Sequence, residues 1–266
     1  NQICLWDYPN QIQPTTVSAR QLIGNNLTSL APMLAQVLGS VQAAGRRDAD
    51  GRFLPRVLFM QGGYQVAGQQ LVLPSDAAFT TLLVFFSGAD GCATYDHQQK
   101  PDARYLAANA RAHALIAALE PVVLGGQDLP GVLAQPASPV SKQIHGRPVQ
   151  TLWSRAIRGA GRSLVAIGND YPLAVHVRLT APRPAGTTCH LDDLTGGPSY
   201  QRAVGQGFTA ADFASGVLVA IPAKAWVVLE FLDGPAPGPA QPIATVAADC
   251  VAAEAAARTF ADIWSE

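Results

Sequence analysis

The feature that most constrains this chain is an alternation along its first 120 or so residues, in which short apolar runs ending in polar residues are separated by stretches with helical spacing. Gln2 to Tyr8 is the first run, closed by Pro9; Arg56-Val57-Leu58-Phe59-Met60 is the second, stopped by Gly62-Gly63; Gly91 to Asp96 is the third. Between the first two, Val17, Leu22, Ile23, Leu27, Leu30, Leu34, Val37, Leu38 and Val41 recur at helical intervals, with a break marked by Ser29 and Pro32. Pro74-Ser75-Asp76 opens a second helix toward Phe86 and Gly88, with Ser75 or Asp76 able to cap its free N–H groups. A third, alanine-rich helix begins at Asp102, and the spacing predicts that it stops at Pro121. Strands joined by helices run parallel through right-handed crossovers, and parallel strands are covered on both faces, so their runs are continuously apolar.

From about Pro130 the pattern changes to a connection containing Pro, Ser and Gly, followed by runs with the period of strands. The expected strands are Val149 to Arg158, Ser163 to Gly168, Leu173 to Thr180, Thr188 to Leu194, and Val217 to Phe231 with a turn at Pro222 to Lys224. Apolar and polar residues alternate through Ala174-Val175-His176-Val177-Arg178-Leu179, as in a half-exposed antiparallel strand. Gly159-Ala160-Gly161 reads as a hairpin turn and not as a phosphate cradle, and no Ser sits in a Gly-x-Ser-x-Gly elbow. The expected organisation is α/β from 1 to 129, an antiparallel β-sandwich from 130 to 233, and a Pro/Gly linker with a C-terminal helix from 234 to 266. Of the 266 residues 48% are hydrophobic and 14% charged, enough for two packed cores. A net charge of -1 without any basic block removes the electrostatic term that nucleic-acid affinity needs, and no run reaches the roughly 18 apolar residues of a membrane span. Neither nucleic acid nor membrane is therefore an expected partner.

The helix from Leu73-Pro74-Ser75-Asp76 into Phe86-Ser87-Gly88-Ala89-Asp90-Gly91-Cys92-Ala93-Thr94-Tyr95, followed by a helix through Leu119, resembles the closing units of a glycoside hydrolase barrel. The later stretch is similar to the small β-domain that follows many such barrels. Arg162 to Asn169 looks like its first strand, Leu191-Asp192-Asp193-Leu194-Thr195-Gly196-Gly197 like its turn, and Val217 to Phe231 like its closing hairpin. The resemblance covers most of residues 1 to 232. It implies the last three β/α units of a (β/α)8 TIM barrel, roughly the sixth to eighth strands, ahead of the sandwich. Three parallel strands do not close a barrel, so the preceding strands are expected on a second polypeptide or in a missing N-terminal half; residue 1 being Asn and not Met fits that expectation.

In barrels of this kind the site lies at the carboxyl ends of the strands. Glycoside hydrolysis normally uses two carboxyl groups, and by position the resemblance implies Asp7 and Asp96 as catalytic residues. Tyr8, Asn10, Gln61, Tyr64, Tyr95 and His97 are the candidate substrate contacts, the tyrosines because an amphipathic ring both stacks on a sugar and bonds its hydroxyls. Each has a plainer alternative: Asp7 capping its loop, Asp96 opening a turn, the tyrosines packing the barrel mouth, His97 facing solvent. The large retaining clan carries a glutamate at the end of the seventh strand, where this chain reads Met60-Gln61-Gly62, so either aspartates act or the main acids lie in the missing half. Trp6 and Trp153 are read as core, and Trp226 as either core or ligand contact. The five histidines form no cluster, and neither a metal nor another cofactor is expected. Cys4, Cys92, Cys189 and Cys250 have no CxxC spacing; a Cys4–Cys92 disulfide needs neighbouring strands, and buried free thiols are the simpler alternative. The expected function is hydrolysis of O-glycosidic bonds in an oligo- or polysaccharide, against a rival of non-catalytic carbohydrate binding on the same architecture.

Overall fold

A computed structural model describes residues 2–7, 34–49, 51–54, 56–61, 74–94, 103–137, 142–144, 147–149, 151–171, 173–195 and 207–234. They fall into two compact units: Asn1–Ile116 with Lys142–Gln150 and Cys250–Glu266, and Ala117–Ser141 with Thr151–Asp249. The first unit carries β1 (Gln2–Asp7), helical residues 34–43 (α1), β2 (Arg56–Gln61), α2 (Pro74–Phe86), β3 (Gly91–Thr94) and the start of α3 (Ala103–Leu124). The strands that follow are β4 (Gln127–Asp128), β5 (Leu133–Pro136), β6 (Lys142–Ile144), β7 (Arg147–Val149), β8 (Leu152–Gly159), β9 (Arg162–Asn169), β10 (Val175–Thr180) and β11 (Thr188–Asp193). β12 (Phe208–Thr209), α4 (Ala210–Ser215), β13 (Val217–Ile221) and β14 (Ala225–Asp233) complete the order. The expected linker after Gly234 and the expected helix from Cys250 to Trp264 lie outside the described residues.

β1, β2 and β3 form a parallel sheet in that order, as the alternation of strands and helices demands. Among the described residues this sheet is open and does not close into a barrel. α2 is buried almost all round from Phe79 to Phe86, which accounts for its lack of a polar stripe. The Gly88-Ala89-Asp90-Gly91 turn that follows it has a complete physical account. Gly88 takes φ 94°, which a side chain resists. Ala89 is buried, and a Cβ on Gly91 would meet Leu58 Cδ2 at 2.8 Å. The Asp90 carboxylate accepts from Val57 N at 2.8 Å and Arg56 Nη1 at 3.0 Å, while Asp90 N donates to Val57 O at 2.8 Å. Arg56 also pairs with Asp48, whose other oxygen accepts from Arg52 N and so shapes the turn ending at Gly51. Asp90 therefore fastens the amino end of β2 to β3, at the end of the sheet remote from the strands' carboxyl termini.

α3 differs from expectation. It passes through Pro121 and ends at Leu124, because Leu119, Val122 and Val123 in its last turns are buried and offset the one backbone bond that proline removes. Of the two alternatives for Cys4 and Cys92, the disulfide is ruled out. β2 separates the two strands, so their backbones are about two inter-strand spacings, or roughly 9.6 Å, apart, beyond the ~7 Å a disulfide spans. Cys92 is a free thiol.

The second unit is an antiparallel β-sandwich. One sheet has the order β13-β10-β5 and the other β12-β11-β14-β9-β8-β4. Val175, Val177 and Leu179 of β10 and Val217, Val219 and Ile221 of β13 share one core with Val165 and Ile167 of β9 and Val227, Leu229 and Phe231 of β14. His176 and Arg178 alternate outward to solvent, as the sequence pattern requires. β8 and β9 pair through the Ala160-Gly161 turn, in which both residues have positive φ, the arrangement that matches the right-handed twist of a hairpin.

The expected closing hairpin is not one. β13 pairs with β10 and β14 with β9 and β11, so the chain changes sheets at Pro222-Ala223-Lys224. The buried Asn169 holds the corner: its Nδ2 donates to the carbonyls of Leu173, Ile221 and Pro222, and its Oδ1 accepts from Tyr171 N. Lys224, at φ 52°, donates to the buried Asp170. Trp226 lies against Gly168, where a Cβ would meet its ring at 2.6 to 2.9 Å, so both Trp226 and the equally buried Trp153 are core residues.

Candidate functional site

The parallel register sets the carboxyl edge of the first sheet. Asp7 is opposite Gln61 and Gln61 opposite Thr94, so the last residues of the three strands form one level row, all polar. The row before it is Trp6–Met60–Ala93. Of the expected site residues the structure thus brings Asp7 and Gln61 together by backbone register. Tyr8, Asn10, Tyr64, Tyr95, Asp96 and His97 lie outside the described residues. Thr94 was missed as a member of this row, although it is the last residue before Tyr95 in the third apolar run and the same parity argument could have found it.

The alternation of strand residues assigns these rows to opposite faces. Cys92, two positions before Thr94, is in hydrogen-bond contact with Thr81 of α2, and Thr81 also reaches Asn109 of α3 at 3.4 Å. Burial pushes the Cys92 thiol up to about 11, with the Thr81 contact opposing it, so it is a protonated and poorly nucleophilic group at neutral pH. By parity the row Asp7–Gln61–Thr94 shares the face of Cys92, and Trp6–Met60–Ala93 shares the face of Gly91 and Leu58.

The remaining buried polar groups serve the fold. Glu230 is held by Arg162 in a two-pronged pair, 2.7 Å on each arm, which raises the Arg162 pKa and leaves this carboxylate committed. Asp193 accepts from Thr195 N at 2.9 Å and from its hydroxyl, closing the turn that follows β11. Cys189 is buried beside the Arg183 guanidinium; desolvation raises its pKa and the cation opposes the rise. Arg183 in turn sits over the rings of Phe231 and Phe213. His113 and His176 are exposed, while the His190 ring meets Gly234 O at 3.1 Å. Among the described residues no group of three or more His, Cys, Asp or Glu could hold a metal, and no helix is long and apolar enough to cross a membrane.

No protein-family model and no curated protein matches the chain. Among solved structures, one described as a glycoside hydrolase aligns with 68% of this chain and 43% of its own length, at 12% identity and a TM-score of 0.38. A glycoside hydrolase family 30 endoxylanase from Clostridium papyrosolvens aligns with 88% of this chain and 65% of its own, at 10% identity and a TM-score of 0.35. A family 30 subfamily 8 xylanase from Clostridium acetobutylicum aligns over 88% and 66%, at 8% identity and a TM-score of 0.30. The chain spans less than half the length of the first of these and under two thirds of the other two. All three are glycoside hydrolases, similar to this chain at low identity and low TM-score.

Proposed function

We propose that the chain is the C-terminal portion of a glycoside hydrolase-like protein that cleaves O-glycosidic bonds in an oligo- or polysaccharide. In this reading it supplies part of a (β/α)8 barrel mouth and an accessory β-sandwich. The observation that carries the reading is the level polar row at the carboxyl edge of three parallel strands joined by helices, the place where barrel enzymes assemble their sites. Asp7 ends β1, and Asp96 follows the end of β3 by two residues. β2 stands between these two strands. One carboxyl protonates the glycosidic oxygen, and the other acts as the nucleophile or as the base that activates a water. No cofactor enters this chemistry. A second polypeptide, or further N-terminal sequence, pairs with the open sides of β1 and β3 and completes the barrel.

A second reading, carbohydrate binding without turnover, is favoured by Gln61 at the end of β2, an amide where the retaining clan carries a glutamate. Asp7→Asn and Asp96→Asn in the complete protein, assayed against a glycan panel, separate the two. Hydrolysis requires at least a hundredfold drop in kcat for each variant; unchanged turnover in both, with glycan still bound, selects the binding protein.

A further inference from the structure

We draw no further inference here: the strongest candidate, the outward face of the β13-β10-β5 sheet with the exposed His176, Arg178, Gln135 and Leu133, is an unpartnered surface, and nothing in the structure shows what covers it.

Discussion

Asp90 shows how much structure one carboxylate can carry. It accepts from a backbone N–H and a guanidinium on β2, while its own N–H closes a third bond to the same strand. Bonds to a charged acceptor contribute about 1.5–3 kcal/mol each when one partner is lost, and part of that is offset here by solvent at the half-buried Arg56. Asp90→Ala is therefore expected to lower the unfolding free energy by about 2 kcal/mol, with Asp90→Asn less damaging; urea titration measures both. The motif around Asp90 was legible in the sequence, but its partner was not, because Arg56 is a neighbour only once β2 and β3 pair. Cys92 gives a pH dependence of definite sign. Its thiol ionises near 9 in the unfolded chain and near 11 in the folded one, so between these values the unfolded state has released a proton that the folded state retains. Stability thus falls as pH rises from about 9 to about 11. The slope should be smaller in Cys92→Ala, compared by thermal melting across that range.

At the scale of elements, periodicity located most of the sandwich strands but not their partners. β10 and β11 stand where alternation put them, and the β8–β9 hairpin follows from a turn whose residues both accept positive φ. β13 and β14 are adjacent in sequence with a short Pro-containing turn, which reads as a hairpin. The choice between hairpin and corner is made by Asn169, a residue 52 positions before Ile221 whose side chain claims the carbonyls at the turn. The short β5 was lost because only the facing β10 makes it a strand. α4 was also missed, although Thr209-Ala210-Ala211-Asp212 spells a capping box, with Asp212 N donating to Thr209 Oγ1 at 3.2 Å and Thr209 N to Asp212 Oδ2 at 2.7 Å. Six residues are too few to show a helical period. Thr209→Ala should cost about 1 kcal/mol of stability, read from the shift in urea midpoint, while Thr209→Ser should cost little.

For the whole molecule, the alternation of strands and helices over the first 120 or so residues was readable from the sequence because each segment there declares its period; closure was not, because it depends on which strands stand beside β1 and β3. Among the described residues both pair with β2 alone. Unpaired strand edges recruit other strands. The chain by itself is therefore expected to self-associate, and a polypeptide carrying the remaining strands to convert it to a one-to-one complex; sedimentation velocity at increasing concentration distinguishes this from a stable monomer.

The corner at Pro222-Ala223-Lys224 has a mechanical consequence. With only three residues between β13 and β14, the two layers of the sandwich are stitched at one end, so neither can slide along the other without tearing the carboxamide of Asn169 from its carbonyls. They are laced at the opposite end as well, where β4 runs to β5, β10 to β11 and α4 to β13, so the two layers separate only when the connections at both ends give way.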